Sequence, residues 1–155
     1  MPPTAVAARL QRETDLIAEQ VTLPGVEALL QAARRQGLKL GLASSSPREW
    51  VFEHLERLEL LEYFQSIKTS DDVRHVKPDP ELYLAVLEEL GVPPHEAVAF
   101  EDSPNGMLSA KRAGMACVLV PNELTRQMPR PAADLELDSL AGHSLEELLQ
   151  KIETE

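Results

Sequence analysis

The chain has 155 residues, a length that suits one globular domain. Hydrophobic residues make up 43% and charged residues 26%, which excludes disorder as the main state of the chain. The 15 basic and 26 acidic residues give a net charge of −11, so neither nucleic acid nor an anionic membrane surface is an expected partner.

The chain shows no membrane or secretion signal. It has no apolar run of about 18 residues, and its first twenty residues carry mixed charges instead of a basic start and an apolar stretch. The single cysteine, Cys117, cannot form an internal disulfide. These features predict a cytoplasmic protein.

Helical and strand-like segments alternate along the chain. Residues 5–20 form a moderately amphipathic pattern, which predicts a helix. After the breaker at Pro24-Gly25, short apolar runs alternate with amphipathic segments. This alternation predicts an α/β fold with a Rossmann-like parallel sheet flanked by helices. The predicted strands are 38–43, 65–69, 97–100, 116–120 and one near Leu135, the later helices are 26–36, 47–58, 80–90, 105–113 and one after Ser144, and residues 121–133 are a predicted loop.

Two predicted helix starts carry a capping box, a serine followed three residues later by a glutamate. Ser46 and Glu49 form the first, with Pro47 at the first helical position, and Ser144 and Glu147 form the second. The boxes predict that each serine hydroxyl caps its own helix.

Three polar segments follow predicted strands or lie in loops beside them. In parallel sheets, ligands bind outside the carboxyl ends of the strands, so Ser44, Lys77 and Asp102 are expected at one edge. Ser44 and Ser45 offer hydroxyls at a helix start, which suits an anion, although both also fit a simple turn. Lys77, which precedes two prolines on a stiff loop, suits phosphate or carboxylate charge, although a solvent-facing lysine fits the same pattern.

Glu101 and Asp102 are adjacent acids at the end of an apolar strand. Two such carboxylates repel each other unless a cation compensates them, and oxygen-only ligands suit Mg²⁺. The alternative is that Asp102 or Ser103 caps the following helix.

The remaining polar and aromatic residues are assigned structural roles. Cys117 lies in an apolar strand and is interpreted as a packing residue. Trp50 and Phe52 fit a helix packing face, and Asp71-Asp72 fits a solvated turn. The four histidines lack the spacing of a metal site: His54, His75, His95 and His143.

Together these motifs resemble the haloacid dehalogenase-like hydrolase superfamily, in particular its branch of beta-phosphoglucomutases and small sugar-phosphate or phosphoglycolate phosphatases. The likeness runs from about Leu23 to Val120. Its specificity comes from the order and spacing of the motifs, with 33 residues from Ser44 to Lys77 and 25 from Lys77 to Asp102. The motifs are Ala43-Ser44-Ser45-Ser46, Lys77-Pro78-Asp79-Pro80 and Phe100-Glu101-Asp102-Ser103-Pro104-Asn105-Gly106.

The resemblance implies a role for each motif. Ser44 matches the hydroxyl that holds the transferring phosphoryl group, with Ser45 beside it, and Lys77 matches the lysine that steadies negative charge. Glu101 and Asp102 match the acids that hold Mg²⁺, the implied cofactor. The acid pair favours phosphate over carbon–halogen chemistry.

One motif of the family is missing. Its first motif is an Asp-x-Asp after the first strand, whose first aspartate attacks phosphorus, and no Asp-x-Asp occurs in this sequence. The helix predicted over 5–20 matches the last helix of the family's cap. We therefore expect residues 1–22 to be a remnant of the cap, residues 23–155 to form the core, and the central first strand to be absent.

The predicted function is Mg²⁺-dependent phosphoryl transfer, as a phosphatase or phosphomutase, on a small phosphorylated metabolite. Without the attacking aspartate, the chain alone is predicted to be inactive. Two alternatives stay open: a non-catalytic subunit that binds phosphate and Mg²⁺ or a partner, and a response-regulator-like module. Open sheet edges also predict a homo-oligomer.

Overall fold

A single parallel sheet organises the protein. The structure is a computed structural model that describes residues 5–8, 25–120, 129 and 133–153. Within these residues the sheet contains six strands in the order β3-β2-β1-β4-β5-β6, and every pairing between them is parallel. The strands are β1 (Ala5–Ala8), β2 (Lys39–Ala43), β3 (Ser66–Lys68), β4 (Ala97–Glu101), β5 (Ala116–Leu119) and β6 (Leu135–Glu136).

Five α-helices flank this sheet in the described part of the chain. Each predicted helix between residue 26 and the end of the description is present, with bounds within a few residues of those expected. The alternation of strands and helices therefore predicted the α/β fold correctly. The helices are α1 (Val26–Arg35), α2 (Arg48–Arg57), α3 (Glu81–Leu90), α4 (Pro104–Arg112) and α5 (Leu145–Glu153).

The sheet separates two hydrophobic clusters. Alternate residues of each strand enter opposite clusters, as the two-residue period of a strand requires. One cluster lies between the sheet and α3 and α4, and the other between the sheet and α1, α2 and α5. Leu42 and Phe100 belong to the second cluster, whereas their neighbours Ala43 and Ala99 belong to the first. Both faces of the sheet are therefore buried, which explains the apolar runs.

The expectation of an absent central strand is wrong. Ala5–Ala8 lies between β2 and β4, with Ala8 paired to Leu42 on one side and Phe100 on the other. The helix predicted over 5–20 is therefore wrong at 5–8, and residues 5–8 belong to the sheet, not to a cap remnant. The rest of that predicted helix and the proposed boundary at residue 22 lie outside the described residues.

Backbone hydrogen bonding explains why this run becomes a strand. A vacant central position would leave the inner edges of β2 and β4 without partners, which is costly for buried backbone groups. Alanines favour a helix in isolation. Pairing with β2 and β4 satisfies the backbone groups of both strands, and this tertiary contribution overrides the local helix propensity. The chain thus completes its own sheet at the position expected to be empty.

Helix caps agree with the sequence at one of the two predicted boxes. At α5, the Glu147 amide donates to Ser144 Oγ at 3.1 Å. At α2, Pro47 is the residue that precedes the helix, and no side chain caps it. The Ser46 cap is therefore wrong, because the serine is buried in the turn instead. Among the described residues, none of the helices is long and apolar enough to cross a membrane.

Candidate active site

The Ser44 turn follows directly from the end of β2. The Ser44 amide donates to the Lys68 carbonyl at 3.0 Å, which extends the pairing of β2 with β3 by one bond. Ser44 is 1% exposed, and its Oγ accepts the Ser46 amide at 3.1 Å. This bond uses a lone pair of the hydroxyl and leaves its O–H as a donor. Ser44 therefore shapes the turn and still presents a donor at the sheet edge.

Lys77 is buried, so the solvent-facing interpretation of this residue is wrong. The residue is 8% exposed, and its amide donates to Ser45 Oγ at 3.3 Å. Its Nζ donates to the Ala43 carbonyl at 2.9 Å and to Glu101 Oε2 at 2.5 Å. Because Ala43 ends β2 and Glu101 ends β4, the ammonium joins the ends of the two strands that flank β1.

The loop that carries Lys77 is held from both of its ends. The Glu81 carboxylate, at the start of α3, accepts the Arg74 amide at 2.8 Å and the His75 amide at 3.2 Å. These amide hydrogen bonds lower the pKa of Glu81, the Arg74 amide having the largest effect. On the far side, Ser109 Oγ donates to the Asp79 carbonyl at 2.7 Å. The loop therefore displays Lys77 from a fixed backbone.

Glu101 is the buried partner of Lys77. Its side chain is 0% exposed, and Oε2 accepts hydrogen bonds from both Lys77 Nζ and the Tyr83 hydroxyl. Lys77 and Tyr83 thus place two hydrogen-bond donors on one buried carboxylate oxygen. The Tyr83 ring also lies 4.7 Å from Lys77 Nζ, close enough for a cation–π contact.

Asp102 is the more accessible of the two neighbouring acids. It is half-buried, whereas Glu101 is buried. The cap of α4 is Ser103, whose Oγ accepts the Gly106 amide at 3.1 Å, so the capping alternative is correct for Ser103 and wrong for Asp102. Helix capping therefore does not account for the second acid.

These carboxylates suit a cation that is shared with a ligand. Mg²⁺ is typically held by one or two protein carboxylates together with water and substrate phosphate. Within the described ranges, no group of three or more His, Cys, Asp and Glu side chains could hold a metal ion. Of the two neighbouring acids, Glu101 is engaged by Lys77 and Tyr83, so the half-buried Asp102 is the one whose carboxylate is accessible to a shared cation.

Among the residues assigned structural roles, Trp50 packs against the second cluster, whereas Phe52 lies outside both clusters with the Arg48 guanidinium over its ring. Cys117 is buried in the core beside α4, and burial raises the pKa of its thiol. Asp71 and Asp72 are exposed; Asp72 Oδ2 accepts the Thr69 amide at 2.8 Å, and Asp71 Oδ2 accepts the Arg48 amide at 2.8 Å. Burial and the nearby Arg57 guanidinium lower the pKa of His54. Cys117 therefore contributes to core packing, and the Asp71 and Asp72 carboxylates stabilise the turn after β3.

Two residues contact the site without a role predicted from the sequence: Tyr83, which was not singled out, and Gly106, which belongs to the third motif. Tyr83 lies on the apolar face of α3, where a phenol resembles any core aromatic. Gly106 lies in the first turn of α4, where a Cβ would collide with Glu101 Oε1. A glycine inside a helix costs about 1 kcal/mol relative to alanine, and this cost was the available signal.

Residues 5–120 match the model of the haloacid dehalogenase-like hydrolase family. The chain belongs to this family. It is 47% identical over 147 residues to YhcW of Bacillus subtilis, covering 95% of the chain and 67% of that protein. It is 37% identical over 128 residues to hexitol phosphatase B of Escherichia coli, covering 82% of the chain and 58% of the relative.

A solved relative supports the same branch. The structure of beta-phosphoglucomutase from Clostridium difficile superposes with a TM-score of 0.77 at 28% identity, covering 90% of this chain and 61% of the other. The resemblance to the phosphoglucomutase and phosphatase branch is thus confirmed, and the response-regulator-like alternative is wrong. The chain spans 58–67% of the lengths of these three relatives.

Replacing Gly106 by alanine is expected to destabilise the family member described here. The added methyl group would meet a carboxylate that Lys77 and Tyr83 hold in place, so neither side can yield cheaply. We expect Gly106→Ala to lower the free energy of unfolding by about 1–3 kcal/mol, although alanine is the better helix former. Urea unfolding measures this change.

The matched control for Gly106→Ala lies one residue earlier in the same helix. Asn105 is exposed, so Asn105→Ala should leave the free energy of unfolding unchanged or raise it slightly. An equal or greater stability of Gly106→Ala would show that Glu101 does not press against this backbone.

Proposed function

We propose that this chain takes part in Mg²⁺-dependent phosphoryl transfer on a small phosphorylated metabolite, as a phosphatase or phosphomutase. The observation that carries the proposal is the buried ammonium of Lys77, bonded to the ends of β2 and β4. Ser44 begins the turn after β2, and Asp102 follows Glu101 at the end of β4. A hydroxyl, an ammonium and two carboxylates are thus grouped at one sheet edge, as an anion bridged by a divalent cation requires.

Each side chain has a distinct proposed role. The Ser44 and Ser45 hydroxyls bind phosphoryl oxygens, and the Lys77 ammonium offsets the negative charge that phosphate brings. Asp102, the more accessible acid, is the principal carboxylate ligand of Mg²⁺. Glu101, which is buried next to it, holds Lys77. Mg²⁺, when bound, would supply charge neutralisation and orientation of the phosphate.

The substrate class follows from the relatives as a proposal. Hexitol phosphatase B and a phosphorylated carbohydrates phosphatase of Thermotoga maritima are both named for sugar substrates. We infer a phosphorylated carbohydrate for this chain as well, with the choice between phosphatase and phosphomutase open.

The chain has no counterpart of the aspartate that would attack phosphorus. None of its aspartates forms an Asp-x-Asp, and the central strand is the apolar run Ala5–Ala8. Positioning and charge neutralisation do not replace an attacking atom. We therefore propose that these 155 residues by themselves bind phosphate and Mg²⁺ without turnover, which keeps a non-catalytic binding role as the second candidate function.

Asp102→Asn is expected to reduce Mg²⁺-dependent phosphate binding by at least about tenfold, because it removes a carboxylate charge from the cation. Isothermal titration with inorganic phosphate, with and without Mg²⁺, measures the affinity, and p-nitrophenyl phosphate hydrolysis measures turnover. The matched control is Asp138→Asn, an exposed aspartate on the loop after β6.

Two outcomes contradict this proposal. The first is a phosphate affinity that changes neither with Mg²⁺ nor with Asp102→Asn, which would show that Asp102 holds no cation. The second concerns turnover. Robust Mg²⁺-dependent turnover by the unmodified chain would mean that a nucleophile other than an Asp-x-Asp aspartate is present.

A further inference from the structure

Tyr83 is a fully buried tyrosine whose hydroxyl is used inside the site. The residue is 0% exposed and lies on the first turn of α3. Its O–H donates to Glu101 Oε2, the same oxygen that accepts Lys77 Nζ at 2.5 Å. Its ring lies under the ammonium, with Nζ 4.7 Å from the centroid. One side chain therefore contacts both members of the buried ion pair.

Glu101 is clamped on three sides. Lys77 and Tyr83 donate to Oε2, while the backbone of Gly106 leaves no room for even a methyl group beside Oε1. A carboxylate without the phenol could rotate about its terminal torsion, because this torsion is broad in free side chains. The hydroxyl thus fixes which oxygen faces Lys77 and where it lies.

We infer that Tyr83 is a positioning residue that acts through Glu101 to hold the Lys77 ammonium in place for an anion at the sheet edge. The Tyr83 hydroxyl and the Lys77 ammonium both donate to Oε2, so part of the negative charge of Glu101 is directed to the hydroxyl. Glu101 therefore anchors Lys77 while leaving part of its positive charge for an anion. The ring of the same side chain also contacts the ammonium. This inference rests on the proposed function for its anion, phosphate, but the coupling of Tyr83 to Lys77 is testable without any ligand.

The variant Tyr83→Phe removes the hydroxyl and keeps the ring. In protein labelled with ¹⁵N-lysine, which has five lysines, the buried Lys77 ammonium should give a slowly exchanging ¹H–¹⁵N signal. We expect its hydrogen exchange to become about tenfold faster in Tyr83→Phe and the dissociation constant for inorganic phosphate with Mg²⁺ to rise about tenfold. A purely packing role would move neither quantity, since phenylalanine fills the same space.

Two controls make the assignment specific. Tyr63, the other tyrosine, is half-buried beside Arg34, and Tyr63→Phe should leave both readouts within about twofold of the parent. In a Glu101→Gln background, Tyr83→Phe should add less than about threefold, because groups that act as a unit are not additive. Thermal unfolding verifies that each variant is folded.

The outcomes separate this inference from the proposed function. Unchanged Lys77 exchange in folded Tyr83→Phe overturns the positioning role, whatever phosphate does. Absence of phosphate binding by the unmodified chain overturns the proposed function, while the exchange measurement still decides the role of Tyr83. Full additivity of Tyr83→Phe with Glu101→Gln shows that the phenol does not act through Glu101.

Discussion

An Asp-x-Asp strand supplied in trans is expected to give this chain a Mg²⁺-dependent phosphatase activity, which we propose is absent from the chain alone. The position for such a strand is the centre of the sheet, where β1 pairs with β2 and β4 in parallel. Ala8 is level with Leu42 and Phe100, so a strand that continued from this level would reach Ala43 and Glu101, the two residues bonded to Lys77 Nζ. An aspartate there would meet the ammonium.

The experiment adds a separately produced segment, an apolar strand ending in Asp-x-Asp, to a variant from which residues 1–8 are removed so that the central position is available. We expect hydrolysis of p-nitrophenyl phosphate to rise by roughly 10³-fold or more, since loss of an enzyme's nucleophile costs on the order of 10⁶-fold. The intact chain should respond less, because β1 competes for the same position.

The control for this complementation is the same segment with both aspartates changed to asparagine. It retains the strand and its backbone hydrogen bonds, so it should bind equally well and give no activity. An Asp-x-Asp segment that binds and yields no Mg²⁺-dependent turnover would contradict the proposed arrangement of Lys77, Ser44 and Asp102.

Breaking the buried Lys77–Glu101 pair is expected to cost more stability than any exposed ion pair of the described structure. The side chains of Lys77 and Glu101 are 3% and 0% exposed, so removing one partner leaves the other charge without water. We expect Lys77→Met and Glu101→Gln each to lower the free energy of unfolding by about 3–5 kcal/mol. Urea denaturation at neutral pH measures both changes.

The double variant Lys77→Met/Glu101→Gln should recover much of this loss, because no uncompensated charge remains buried. The matched control is Lys111→Met, which breaks the Lys111–Asp134 pair whose side chains are 41% and 32% exposed. Exposed pairs contribute about 0–1 kcal/mol, so the control should stay within that range. Equal losses for the buried and exposed pairs, or full additivity in the double variant, would contradict the buried pairing.

Periodicity and turn residues predicted most of the fold. The apolar run that became β2, the amphipathic segment that became α3 and the serine that caps α5 are local signals, and each predicted its element correctly. The parallel strand rule then predicted that the ends of β2 and β4 would share an edge with the Lys77 loop, and Lys77 does bond to both ends. Motif order and strand ends therefore predicted which segments of the chain meet at this edge of the sheet.

Local signals failed where a distant part of the chain supplied the deciding contact. Ala5–Ala8 was predicted as helix, because its pairing to β2 and β4 depends on strands more than 30 positions further along the chain. Ser46 was predicted to cap α2, but the distant Asp71 carboxylate accepts the Arg48 amide at the start of this helix at 2.8 Å. The sequence around Lys77 was also compatible with solvent exposure, because its partners Ala43 and Glu101 lie 34 and 24 positions away in the chain.

The amino-acid order alone determined the α/β layout and the chemical groups available for phosphate, because hydrophobic period and residue type are properties of neighbouring positions. Only the folded arrangement decided which strand fills the centre of the sheet and which acid pairs with Lys77. Burial and hydrogen-bond partners depend on residues remote in the chain, so Tyr83 and Gly106 acquire their roles only once α3 and α4 pack beside the end of β4.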